Sequence, residues 1–161
     1  NAINIGVHTI TVPLKIMKQL TENNFTTLGT DQFIADTRLM TVRVKEAING
    51  VNPLVQADTN ITDAIVKMTE YNFGAITVMN KDNTVLGVFT DGTLRRLISE
   101  KGRDILQKKL SDLTYNPPIS VEASALLNEA AGVFKKTNVD TLLVLDKGKP
   151  IGMLDIQDMK G

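Results

Sequence analysis

The chain repeats itself. Asn52-Pro53-Leu54-Val55 returns approximately as Pro117-Pro118-Ile119-Ser120-Val121. Val55, Ile61, Ala64, Met68, Phe73 and Val78 each find an apolar counterpart 66 residues later, at Val121, Leu127, Ala130, Phe134, Val139 and Val144. Acidic Asp63 pairs with Glu129 in the same way, and after a one-residue deletion in a turn Leu86-Gly87-Val88-Phe89 matches Ile151-Gly152-Met153-Leu154. Such a period means a duplicated supersecondary unit whose two copies share a core. Each copy is only about 60 residues and marginal alone, so the two are expected to bury their apolar faces against one another.

Both copies read alike. A Pro-led extended segment comes first. Ile61, Ala64, Ile65 and Met68 then recur at i, i+3, i+4, i+7, as do Leu127, Ala130, Ala131 and Phe134, which predicts a helix with one apolar stripe. Thr59 or Asn60 is the expected cap of the first helix and Ser124 of the second. The β-rich runs Ala75–Met79 and Thr141–Leu145 follow. Turn residues Asn80–Asn83 and Asp146–Lys149 lead into hairpin partners at Val85–Phe89 and Pro150–Leu154. A closing helix is expected near Gly92 and again near Ile156. The fold class is therefore α/β, two β-α-β-β-α repeats packed sheet to sheet as a pseudo-two-fold pair. A helical linker precedes them, with boundaries at 1–43, 44–108 and 109–161. In the linker Pro13–Leu20 carries Leu14, Ile16, Met17 and Leu20 and reads as an amphipathic helix. Asn1-Ala2 has the look of a cloning remnant and is left out of the fold argument.

Composition removes several functions. The 161 residues contain 18 Lys+Arg against 18 Asp+Glu, which lacks the basic excess that nucleic-acid or anionic-membrane binding requires. There is no Cys, hence no thiol catalysis, thiolate metal site or disulfide. Five Phe, two Tyr and no Trp make a poor base-stacking platform. No run approaches 18 apolar residues and no secretory segment opens the chain, so a cytoplasmic location is expected, with neither nucleic acid nor membrane as partner.

The duplicated order, closed in each copy by Gly, two apolar residues, a polar residue and a later Asp or Thr, resembles a tandem cystathionine-β-synthase-type (CBS) pair, or Bateman module. The run Leu86-Gly87-Val88-Phe89-Thr90-Asp91-Gly92-Thr93-Leu94-Arg95-Arg96 is similar to that of CBS pairs attached to arabinose-5-phosphate isomerases. In those enzymes a sugar-isomerase domain precedes the pair and serves 3-deoxy-octulosonate (Kdo) synthesis for lipopolysaccharide or capsule. Pro13–Leu20 followed by Asn24-Phe25-Thr26 resembles the exit from that domain, and Arg38–Val44 resembles the link into the first repeat. The resemblance implies a regulatory module binding a nucleotide or nucleotide-sugar, an adenine or cytidine nucleotide or a CMP-sugar, with no obligatory cofactor. It also implies a homodimer formed through the pair. Two other readings remain open: a structural dimerisation module without ligand, and the sensor of another parent such as a nucleotidyltransferase or an IMP dehydrogenase.

By resemblance, the closing Asp of each repeat would accept two ribose hydroxyls and the Thr or Ser three residues earlier would meet phosphate or sugar. A carboxylate, acceptor only, suits a vicinal diol. The base would slot between the Pro-led segment and the start of the middle strand. The first repeat's candidates are thus Asn52, Pro53, Leu54, Gly74, Ala75, Thr90, Asp91, Thr93 and Arg95. Those of the second are Pro118, Ile119, Asp140, Thr141, Asp155 and Asp158. Each repeat departs from the pattern. The first keeps Thr90 but has Thr93 in place of the ribose carboxylate. The second keeps Asp158 but has Asp155 in place of the hydroxyl, where it would repel phosphate unless a cation intervenes.

The remaining polar residues carry less. Arg95 and Arg96 either offer a bidentate fork to a ligand anion or line a solvated helix face. Asp91-Gly92 reads as a turn and cap before it reads as a ligand contact. Lys147 and Lys149 are ordinary hairpin charges. His8, the one histidine, has no nucleophile or carboxylate beside it, and Asp31 with Asp36 has no support as a carboxylate pair. Met17, Met68, Met79 and Met153 are expected in the core. No catalytic constellation, metal-ligand spacing or Gly-rich phosphate loop is present.

Overall fold

A computed structural model describes residues 13–15, 24–48 and 50–159. It divides into two units, Asn1–Thr37 and Arg38–Gly161. In the first, Leu14 and Lys15 are helical, and the rest of the helix expected over Pro13–Leu20, with Met17 and His8, lies outside the described residues. Helix α1 (Asn24–Thr41) begins in the first unit and ends in the second.

The second unit holds both repeats. The first comprises α2 (Val44–Ala47), β1 (Leu54–Gln56), α3 (Ile61–Glu70), β2 (Ala75–Met79), β3 (Val85–Thr90) and α4 (Asp91–Lys101). Two short 3-10 turns, Arg103–Gln107 and Leu110–Asp112, lead on to β4 (Ser120–Glu122), α5 (Leu127–Thr137), β5 (Thr141–Asp146) and β6 (Lys149–Asp155). The closing helix expected near Ile156 is instead a 3-10 turn, Ile156–Met159. Each repeat forms its own three-stranded sheet, β1-β2-β3 and β4-β5-β6, with the first pair parallel across a helix and the second an antiparallel hairpin. In the β5–β6 hairpin Asp146 pairs with Lys149 across Lys147 and Gly148, both at positive φ, as a two-residue turn between right-twisted strands requires.

The repeat is visible in the packing. Val55, Ile61, Ala64, Met68, Ile76, Val78 and Phe89 form one core under α3, and Val121, Leu127, Ala130, Phe134, Leu142, Val144 and Leu154 the other under α5. Met68, Met79 and Met153 are buried as expected. Both hairpins carry a bulge at the same place, after Val78 and after Val144. Every residue of β2 is buried, although a one-faced sheet buries only alternate positions. Ile76 and Val78 belong to the helix-side core, which leaves Ala75, Thr77 and Met79 buried on the opposite face. On the second sheet Leu143 and Met153, 2% and 1% exposed, likewise belong to neither helix-side core. Each sheet thus has a second buried layer on the face away from its helix-side core. Within it Thr77 is fully buried with no partner for its hydroxyl, where the second repeat has Leu143.

Each core has one member that its own repeat does not supply. Val44, on α2 at the head of the first repeat, is fully buried in the core of the second. Leu110, at the head of the second repeat, is fully buried in the core of the first. The exchange is reciprocal down to the main chain. The N–H of Leu127 donates to the carbonyl of Val42 (3.0 Å), and that of Ile61 to the carbonyl of Lys108 (3.0 Å). These bonds satisfy the first N–H of α3 and of α5; Asn60 stands at the N-cap of α3 without a side-chain cap bond, and the N-cap of α5 is Leu126, two residues beyond the expected Ser124. A second device secures α5: the N–H of Leu126 donates to Oε1 of Glu129 (3.0 Å). The crossing segments lie close on the sheets, so the strand residues beneath them are glycines. A Cβ on Gly87 would fall 2.6 Å from Cγ of Tyr115, and one on Gly152 would fall 3.0 Å from Cδ1 of Ile48.

Candidate functional site

Most of the predicted site residues collect at one end of each sheet, and main-chain bonds build both ends alike. At the first end the N–H of Thr77 donates to the carbonyl of Pro53 (2.9 Å), placing the start of β1 beside β2. The N–H of Asp91 donates to the carbonyl of Gly74 (3.0 Å), and Ala75 pairs with Thr90 across the hairpin. At the second end Leu143 donates to Ile119 (3.0 Å), Ile156 donates to Asp140 (2.9 Å), and Thr141 pairs with Asp155. Pro53, Leu54, Gly74, Ala75, Thr90, Asp91 and Thr93 therefore converge at one end. Ile119, Asp140, Thr141, Asp155 and Asp158 converge at the other, with Pro118 just ahead of them.

The side chains that differ between the repeats occupy the turn after the last strand. Thr90 is the N-cap of α4: its Oγ1 accepts the N–H of Thr93 at 3.1 Å and lies 3.1 Å from the Thr93 hydroxyl. Asp91-Gly92 opens the helix that this cap starts. In the second repeat Asp158 Oδ2 accepts the N–H of Asp155 (2.9 Å) and Asp155 Oδ1 accepts the N–H of Gln157 (2.8 Å). Each carboxylate spends one oxygen on the turn, and among the described residues the other has no hydrogen-bond partner. The half-buried hydroxyls and carboxylates have the same local duty, holding the turn that presents them.

Other candidates sit apart. The Nδ2 of Asn52 donates to the carbonyl of Pro150 (2.9 Å) on the opposite repeat, while its Oδ1 is buried without a partner. Arg95 and Arg96 are exposed on α4. A depression of about 280 Å³ beside the first end is lined by residues of the end of α3, with Phe73, Gly74 and Asp91. Among the described residues no group of three or more His, Asp or Glu is placed to hold a metal ion, and no helix is long and apolar enough to cross a membrane.

Sequence reasoning overlooked one contributor. Arg38, near the end of α1, donates from Nη2 to the carbonyl of Asp158 (3.2 Å), and its Nε is buried without a partner. Nothing local marks it, because its partner lies 120 positions away.

Two sheets with exchanged opening segments and a closing turn at matching ends define a paired-repeat α/β fold. The sequence pattern of the CBS domain matches residues 39–100 and 110–160, and the chain belongs to that family as a tandem pair. It is 30% identical over 108 residues to the arabinose 5-phosphate isomerase KdsD of Pseudomonas aeruginosa, a match covering 66% of this chain and 33% of that protein. The chain thus spans about a third of the length of the curated relatives it matches. Its fold is that of a CBS domain protein from Pyrobaculum aerophilum complexed with AMP (TM-score 0.66, 18% identity, 73% of this chain and 89% of that one). The CBS domain pair of protein MJ0100, in complex with 5′-methylthioadenosine and S-adenosyl-L-methionine, is similar too (TM-score 0.64, 13% identity, 73% and 96%).

Proposed function

We propose that this CBS pair is the ligand-responsive regulatory module of a sugar-phosphate isomerase, and that it binds a nucleoside-containing ligand between its repeats. The observation that carries the reading is the pair of matching ends, each framed by main-chain bonds and each with a polar turn fixed by a side-chain oxygen on a local N–H. The named isomerase relatives support the parent, a catalyst of arabinose 5-phosphate and ribulose 5-phosphate interconversion in Kdo synthesis. The adenosine ligands of the structural neighbours support the ligand class, within which a cytidine nucleotide or CMP-sugar is the feedback alternative. Asp158, with one carboxylate oxygen uncommitted among the described residues, is the group suited to a ribose diol, which makes the second end the stronger ribose site. At the corresponding turn position the first end offers the Thr93 hydroxyl in place of that carboxylate.

Calorimetric titration with AMP, ATP, CMP and CTP tests this. Saturable binding that Asp158→Ala weakens about tenfold or more, with Thr93→Asp strengthening the first end by a similar factor, is expected. Failure of all four to bind up to millimolar concentration would leave assembly as the function. Val66 on α3, Tyr71 just after it and Ile98 on α4 are exposed and favour that second reading.

A further inference from the structure

We infer that Arg38 is a positioning residue of the second end and makes helix α1 the element that responds when that end is occupied. The inference rests on the ligand-binding reading above and adds the route by which occupancy leaves the pair. Three observations carry it. The segment joined to the end of α1 belongs physically to the second repeat, not to the first repeat that follows it in sequence. Val42 caps α5, Val44 lies in its core, and Arg43 Nη1 donates to the carbonyl of Ser124 (2.6 Å). From the end of α1 itself, the Arg38 guanidinium reaches the turn Ile156–Met159 and holds the carbonyl of Asp158, whose carboxylate in turn holds the N–H of Asp155. Finally, the Arg38 Nε is buried and unpartnered, so the contact is incomplete as it stands and a small movement of the turn can give that donor an acceptor.

A ligand that draws on the Asp158 carboxylate must shift or stiffen this turn. The Arg38 bond then transmits the change to α1 without passing through the first repeat. Reciprocity follows: whatever fixes α1 alters affinity at the second end by the same factor. Arg38 also places a cation beside the turn in which Asp155 replaces the phosphate-binding hydroxyl.

Hydrogen exchange on the full chain, with AMP as the probe, tests the route. In the unmodified protein saturating AMP should slow exchange at residues 155–159 and at 38–41 together, each by about fivefold or more. In Arg38→Met, AMP should still protect 155–159 while the response of 38–41 disappears, and AMP affinity should change by about fivefold. Arg38→Lys, which keeps the charge and one donor, should retain part of the response and guards against a folding defect in the Met variant. Continued protection of 38–41 in Arg38→Met overturns the inference, as does AMP binding that leaves 155–159 unaffected. No AMP binding by the unmodified chain removes the nucleotide reading first, and this inference falls with it.

Discussion

At its first end the pair presents two hydroxyls, Thr90 and Thr93, and at its second two carboxylates, Asp155 and Asp158, on the same main-chain frame. The frame can stay constant because backbone bonds, not the variable side chains, hold the strands at each end. The turn side chains must only satisfy a local N–H, which a Thr hydroxyl and an Asp carboxylate both do. A duplicated fold can therefore let its two sites diverge in charge while its core remains symmetric. The halves differ in a second way: the segment crossing the first sheet carries Tyr115 over Gly87, whereas the one crossing the second carries Ile48 over Gly152.

The largest effect tests the symmetry of the exchange. Leu110→Ala removes a fully buried side chain and should cost about 3 kcal/mol, and Val44→Ala about 2 kcal/mol, by urea denaturation. Because each residue fills the core of the opposite repeat, both variants should melt in one transition. Two resolved transitions in calorimetry would mean that the repeats are independent.

The glycines should separate the halves. At Gly87 the obstacle is the root of the Tyr115 ring, including its Cβ at 2.7 Å, so Gly87→Ala should cost about 2 kcal/mol. At Gly152 the nearest atom is the far end of Ile48, which can turn aside, and Gly152→Ala should cost under about 1 kcal/mol. Equal losses would show that the two crossings are packed alike.

The smallest effect is confined to the first half. Burial pushes the Tyr115 phenol above its ordinary value of about 10, while its hydroxyl donates to the carbonyl of Leu110 (3.1 Å). The unfolded chain loses that proton first, so the stabilising difference is whole below pH 10 and declines as pH rises beyond it. Tyr115→Phe should flatten that alkaline decline in stability, and Ile48→Ala should leave its pH dependence unchanged. An alkaline decline equally steep in Tyr115→Phe would place its source elsewhere.

Most of the fold was legible because a period of 66 carries both the helical stripes and the hairpins, and the polar ends follow from the strand order. The exchange of opening segments was not, although part of its signal was present. Arg43-Val44-Lys45-Glu46 and Lys109-Leu110-Ser111-Asp112 stand at the same offset, with Glu46 and Asp112 accepting the N–H of Arg43 (3.2 Å) and of Lys109 (3.1 Å). Extending the alignment upstream reveals the likeness but not the destination, since periodicity records which face of an element is apolar and not which core receives it. Ser124 misled for the same reason. A cap supplied by a distant carbonyl leaves no local mark.

The exchanged segments also set an order of events for a chain that grows from its amino end. Arg43 finds its acceptor on Ser124, 81 positions later, and Val44 finds its core only when Leu127 and the strands after it exist. During synthesis the head of the first repeat therefore waits, its apolar side chain uncovered, until residues 121–154 emerge. Closing so long a loop slows folding more than it weakens the product. The duplication that made the core symmetric has thus made its assembly sequential, with the head of the first repeat docking after much of the second has been made.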